Sequence, residues 1–281
     1  MSNLRIMSNN IWWSDANSEI WAKNGDDCSA PTRAKGFFRV YKELAPDVLG
    51  LQECSGFMRK ILRRLLEDEN LPYEFLYGRD TPILINREKF FIEETASFVY
   101  SEEIPDFEGS FNNCRTKSYC IAVLTEKSSG KKLIFATTHL WWMEDDPNHK
   151  NYRAHSSEAR AYQLNLLLDK CEEFIAKYNC PCIVVGDLNA DINSIALTSA
   201  FNRGWLHTHD LAEVKDETMG MHYCYADGFT TTPYDKDFTA SIDHILIKNK
   251  GDMKINSFNR YSPDYYMPLS DHFPVYIDVE F

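Results

Sequence analysis

The stretch Ile183-Val184-Val185-Gly186-Asp187-Leu188-Asn189 sets a short, wholly apolar run directly before a group of oxygen-bearing side chains. Three β-branched residues in a row predict a strand covered on both faces, and Gly186 lets the backbone turn where that strand emerges. Chemistry is therefore expected at the end of a buried strand. An anionic Asp187 beside a neutral Asn189 amide suits a hard cation, or a water held beside a phosphate. The bland alternative is an Asx turn capping the next helix.

Other stretches repeat the pattern. Leu4 to Trp12 reads as a first strand with Asn10 near its exit. Thr32 is placed to cap a helix whose apolar positions Ala34, Phe37, Phe38, Tyr41 and Leu44 recur at helical spacing, ending before Pro46. The strand Asp47–Gln52 then delivers Glu53, and Ser55 caps a second amphipathic helix. Ile83–Ile85, a turn at 86–89 and Phe90–Tyr100 predict a hairpin. A second hairpin is expected from Ile121–Thr125 and Leu133–Thr138, ending in His139. A helix from about Ser157 to Tyr178 precedes the Asp187 strand. Ser241–Ile247 is a strand with Asp243 near its start, and Ser270-Asp271-His272 leads into an alternating last strand, Phe273 to Phe281.

With 281 residues and no linker-like or low-complexity segment, the expectation is one α/β domain over 1–281 with mixed sheets. No apolar run reaches membrane-spanning length and no basic region followed by a long apolar segment opens the chain, so a cytoplasmic protein is expected. Eight dispersed cysteines in a chain this long read as reduced thiols. The 42 acidic residues outnumber the 30 basic ones, for a net charge of −12, which repels polyanions unless cations or a local basic patch intervene.

Asn10, Glu53, His139, Asp187, Asn189, Asp243, Asp271 and His272 all fall at or beside predicted strand ends, so one fold must gather them. Glu53 and Asp271 are the natural hard-cation ligands, for Mg²⁺ or Mn²⁺, since soft donors are missing from these motifs. Asp187 is fit to take a proton from an attacking water, and His272 to stabilise phosphate charge or relay protons if a carboxylate such as Asp243 holds its ring. Each has a blander reading: Glu53 as a helix-start charge, His139 as a core histidine, Asp243 bonded to backbone, Asp271-His272 as a turn. Trp12, Trp13, Trp141 and Trp142 read as packing, or as a platform for substrate.

The ordered set Asn10-Ile11, Leu51-Gln52-Glu53, Thr138-His139-Leu140, Gly186-Asp187-Leu188-Asn189, Ile242-Asp243-His244 and Ser270-Asp271-His272 resembles the endonuclease/exonuclease/phosphatase superfamily, the deoxyribonuclease I-like hydrolases. The resemblance implies a four-layer α/β sandwich with two central mixed β-sheets and the site at one edge. It implies a divalent metal on Asn10, Glu53 and Asp271. Asp187 and Asn189 would act on the nucleophilic water and the phosphate, His272 on the scissile phosphate with Asp243 behind it, and His139 as a phosphate contact. Arg33 and Arg115 are weaker family-like features, and Arg115, Trp141 and Trp142 are the substrate-binding candidates. His244, where many relatives carry Tyr or Arg, is expected to face away from the chemistry.

The expected activity is hydrolysis of a phosphoester, a phosphodiester first, by in-line attack of water. Nucleases on DNA or RNA share these motifs, and the rival from another class is a non-catalytic binding module that kept the fold. Selectivity is expected in the loops at 13–31, 101–117, 140–156 and 213–236, whose acidic residues favour a small phosphoester or short single strand over duplex DNA. No protein partner is inferable.

Overall fold

In the computed structural model, residues 2–13, 25, 27–215, 222–225, 228–231 and 241–281 are described. In chain order the elements are β1 (Asn3–Asn10), α1 (Ala30–Leu44), β2 (Val48–Gln52), α2 (Gly56–Asp68), β3 (Tyr73–Leu76), β4 (Ile83–Asn86), β5 (Phe90–Val99), β6 (Ser118–Glu126) and β7 (Lys132–His139). They continue with α3 (Ser156–Tyr178), β8 (Cys182–Asp187), α4 (Ile195–Asn202), β9 (Leu206–His207), α5 (Thr208–Leu211), β10 (Val214–Lys215), β11 (His222–Tyr225), β12 (Gly228–Thr231), β13 (Asp243–Lys248), β14 (Lys254–Arg260) and β15 (Val275–Glu280).

Two mixed sheets face each other, ordered β10-β14-β15-β1-β2-β4-β3 and β5-β6-β7-β8-β13-β9. Leu4, Ile6, Val48, Ile83, Val275 and Ile277 of the first sheet meet Ala122, Phe135, Ile183, Val185, Ile245 and Ile247 of the second in one buried layer. The other face of the first sheet lies under α1 and α2, through Phe37, Tyr41, Met58 and Leu62. The other face of the second lies under α3 and α4, through Leu164, Leu168, Leu197 and Ala200. The result is the expected four-layer sandwich. Each fully buried aliphatic side chain contributes about 1.5–3 kcal/mol, which is why apolar runs such as Ile183–Val185 sit in the middle layers. Gly50 lets the sheets close together: a Cβ there would lie 2.5 Å from Val185 and 2.6 Å from Thr137.

Two local expectations are corrected. The first helix begins at Ala30 with Ser29 as its N-cap, so Thr32 lies inside the first turn; Pro31 suits that turn because it lacks an N–H that would go unpaired there. Ile83–Ile85 and Phe90–Tyr100 do not pair. β4 hydrogen-bonds β2 and β3, whereas β5 pairs β6, so the short turn between them switches sheets. Buried Ile83–Ile85 lies between β2 and β3 in the first sheet, while β5, largely exposed at alternate positions, forms an edge of the second. The β6–β7 hairpin forms as expected, and Ser55 Oγ accepts from Met58 N at 3.2 Å as the cap of α2.

Two parallel pairs, β1 with β2 and β7 with β8, bring four strand C-termini to one rim of the sandwich. β6 and β13 run antiparallel to their neighbours and start at that rim, and β15 does the same against β1.

Candidate active site

The register of the second sheet aligns the key residues on one rung: Ser118 pairs with His139, His139 with Asp187, and Asp187 with Asp243. Gly186 stands one step inside. A Cβ there would come within 2.1 Å of the Thr138 carbonyl oxygen, so β7 and β8 approach this closely only with glycine at that position. From the facing sheet, Asn10 pairs with Gln52, and the next residue, Glu53, turns out of the strand in a left-handed conformation (φ 57°). Asn189 (φ 48°) and Trp12 (φ 53°) share that conformation, so three of the chain exits at this rim hold unusual backbone geometry.

Asn10 ties the sheets together. Its Nδ2 donates to Asp187 Oδ2 at 2.9 Å and to Glu53 Oε1 at 3.2 Å, while its Oδ1 accepts from Trp12 N. Asp187 Oδ1 accepts from Asn189 N at 2.9 Å, and Asn189 Nδ2 donates to Leu140 O at 3.1 Å. His272 Nδ1 lies 2.7 Å from Asp243 Oδ2, and its Nε2 lies 3.8 Å from Asp187 Oδ2. Burial opposes a charge on His272, but Asp243, Asp187 and Asp271 outweigh it and hold the imidazolium well above the ordinary histidine range. Burial pushes Asp187 up, against the pull of His272. His139 is driven the other way, well below 6.5, by burial and then by Lys117 and His272, and stays a neutral imidazole.

Glu53, His139 and Asp187 offer ligand atoms that all lie within 4.8 Å of one another, a cluster able to hold a metal ion. Asp271 stands beside it. Its Oδ1 is buried without a hydrogen-bond partner, and burial and then the Glu53 charge push its carboxyl up, while His272 pulls it down. A carboxylate oxygen with no hydrogen-bond partner, only His272 Nε2 at 4.0 Å, and a second carboxylate charge nearby is what a hard cation would satisfy, so the residues present fit Mg²⁺ or Mn²⁺.

These groups line a cavity of about 750 Å³. Glu53, His139, Asp187, Asn189, Asp271, His272, Trp141 and Trp142 reach its wall, whereas Asp243 stands behind His272. Trp141 is 1% exposed and its Nε1 donates to Ser156 Oγ, so it is chiefly packing, while Trp142 is 39% exposed at the rim. Arg115 is exposed and lies outside the cavity wall, because the turn closed by Arg115 N to Asn112 O turns it outward in a left-handed conformation. Arg33 is buried and donates to the carbonyls of Ile11, Trp12, Trp13 and Leu269, clamping the exit of β1 to the segment before Asp271. His244 is also buried, with Nε2 2.8 Å from Ala190 O and Nδ1 3.0 Å from His207 Nε2; it braces the Asp187–Asn189 turn from behind. Most of the acidic and aromatic residues expected at 13–31 and 213–236, Trp21, Asp26, Asp216 and Glu217 among them, lie outside the described residues.

Two residues join the site without a role assigned to them from sequence. Lys117, 5% exposed, places Nζ 2.5 Å from His139 Nε2, and burial lowers it to about 8 against the attraction of Glu53, Asp187 and Asp80. Extending the register of the β6–β7 hairpin to its open end would have found it, since Ser118 opposes His139. Asp80, with Oδ2 buried and unpartnered, also lines the cavity; burial pushes it up to about 6 despite Arg79 and Arg59. Nothing local marks it in the sequence.

The model of the endonuclease/exonuclease/phosphatase family matches residues 10–272, from Asn10 to His272. The chain belongs to this family. No curated protein sequence matches it. Among solved structures, an endonuclease/exonuclease/phosphatase family protein of Bacteroides thetaiotaomicron is similar at TM-score 0.73 and 20% identity, covering 99% of this chain and 98% of that one. A mannosyl-6-phosphatase from the same organism gives 0.72 and 20%, covering 99% and 100%. TDP2 of D. rerio, complexed with a single-strand DNA product, gives 0.66 and 20%, covering each chain fully. Members of the family are phosphoester hydrolases, and the neighbours include proteins acting on DNA and on a phosphorylated sugar. Among the described residues no helix is long and apolar enough to cross a membrane.

Proposed function

We propose that the protein is a divalent-metal-dependent hydrolase of a compact phosphoester, acting by in-line attack of water. The observation that carries this reading is His272, clamped by Asp243 at 2.7 Å and set 3.8 Å from Asp187 in a wall shared with Glu53 and Asp271. Asp187, pushed up by burial, is a base suited to take the proton of a water near neutral pH. Asn189, held by Leu140 O, orients that water and the phosphate. His272, kept protonated by its carboxylates, donates a hydrogen bond to the phosphoryl oxygen as charge builds up. Glu53, Asp271 and Asn10 are the residues that would hold Mg²⁺ or Mn²⁺, which supplies neutralisation of phosphate charge when bound. His139 contacts the phosphate from the β7 side.

Net charge and the cavity's own Asp80 and Glu144, partly offset by Lys117 and Lys150, favour a small phosphoester or a short single strand over duplex DNA. The test is a panel of phosphoesters, single-stranded oligonucleotides and duplex DNA, with Mg²⁺, Mn²⁺ or chelator across a salt series. Hydrolysis that needs the metal and favours small substrates is expected. Undiminished hydrolysis in excess chelator would refute the metal, and efficient duplex cleavage that weakens steeply with salt would refute the substrate class.

A further inference from the structure

Lys117 is a buried cation with no carboxylate in ion-pair contact among the described residues. Its ammonium contacts the two ring nitrogens of His139, at 2.5 and 3.2 Å. Burying an ammonium is costly unless a counter-charge meets it. The fold nevertheless holds it in place. Asn112 Nδ2 donates to Lys117 O at 2.9 Å and to Tyr100 O at 2.6 Å, and Lys117 N donates to Asn112 Oδ1 at 2.9 Å. This staple grips the backbone of Lys117 on both sides and directs the side chain into the cavity wall beside His139, Asp187 and His272.

We propose that Lys117 makes this site selective for phosphomonoesters, pairing with the additional negative charge and third non-bridging oxygen that a monoester carries and a diester lacks. The inference rests on the hydrolase reading above and departs from the diester expected from sequence. A phosphomonoester carries close to two negative charges near neutral pH on three acceptor oxygens. A diester carries one charge on two such oxygens. His272 and a divalent ion already answer a single charge, so with a diester bound Lys117 keeps only the more distant attraction of Glu53, Asp187 and Asp80 and no anion in direct contact. A monoester supplies an anionic oxygen that can pair with it directly.

The test compares 4-nitrophenyl phosphate with 4-nitrophenyl phenyl phosphate, which share a leaving group, on wild type, Lys117→Met and Lys117→Arg with Mg²⁺. Binding of inorganic phosphate is measured by calorimetry alongside. Wild type should favour the monoester. Lys117→Met should lower kcat/KM about a hundredfold for the monoester and less than about fivefold for the diester, with Lys117→Arg between the two. Phosphate affinity should fall at least about tenfold in Lys117→Met. Because the ratio of two esters in one preparation does not depend on how much of it is folded, poor folding of the variant does not obscure the result. Equal losses on both esters, a wild type that prefers the diester, or phosphate binding absent from wild type or indifferent to Lys117→Met would each overturn the proposal. If wild type turns over neither ester the hydrolase reading fails, and the phosphate titration still judges Lys117.

Discussion

The two ends of β13 are built on opposite electrostatic plans. At its first residue, Asp243 joins Asp187, Asp271, Glu53 and Asp80 in a buried region where like charges crowd and carboxylate oxygens of Asp80 and Asp271 go unpartnered. At its last, Lys248 donates to Glu172 Oε1 at 2.7 Å, Trp205 Nε1 donates to the same oxygen at 3.0 Å, and Arg203 Nη2 donates to Glu172 Oε2 at 2.9 Å. Burial would raise Glu172, but these donors outweigh it and hold its carboxyl at about 2. One end of the strand is satisfied by the protein itself; the other leaves two carboxylate oxygens without a hydrogen-bond partner. Unmet charge placed at the rim of a rigid sandwich is what a binding or catalytic site requires, at a cost in stability borne by the layers beneath.

The largest effect that would sharpen this contrast is on turnover. Asp187→Asn and His272→Ala should each lower kcat at least about a hundredfold while leaving KM far less changed. Thermal melts should show Asp187→Asn as stable as wild type or more so, because it removes a buried like charge. Asp243→Asn should act through His272, so the Asp243→Asn/His272→Ala double variant should be much less than multiplicatively worse; fully additive losses would separate the pair.

Next in size, Glu53→Gln should weaken Mn²⁺ binding at least about tenfold by calorimetry, with an unchanged circular dichroism spectrum. Unaltered binding would move the metal away from this carboxylate.

At the other end of β13 the signs reverse. Glu172→Gln should cost about 1–2 kcal/mol in denaturant unfolding, a figure already reduced for solvent screening, and leave kcat untouched. Glu172 is depressed in the folded state, so its contribution is present above the unfolded value of about 4.3 and disappears as pH falls toward about 2. The gap between wild type and Glu172→Gln should therefore be flat above about pH 5 and narrow below it. A gap that widens on acidification would show that the ion cluster is not its source.

The smallest effect is expected from Trp142→Ala at the cavity rim: a rise in KM of about two- to fivefold with kcat preserved, read from initial rates. A large loss of kcat would make Trp142 part of the reacting centre rather than its rim.

What the sequence by itself determined is the set of strands and the residues at their ends. The runs before Glu53, His139 and Asp187 are apolar on both faces, and a side chain following such a run must emerge at a sheet edge, so these positions are legible from local pattern. The order of motifs from Asn10 to His272 was enough to recognise the family and, through it, the four layers. What only the tertiary structure decided depends on contacts between residues far apart in the chain. The β4–β5 turn looks like a hairpin, yet the two strands gain more by filling separate sheets. Arg33, family-like in its helix, is consumed by carbonyls from two distant segments. Lys117 and Asp80 carry no local signature, because a charge acquires its meaning from the groups buried around it, and those are chosen by strand register and layer packing rather than by neighbours in sequence.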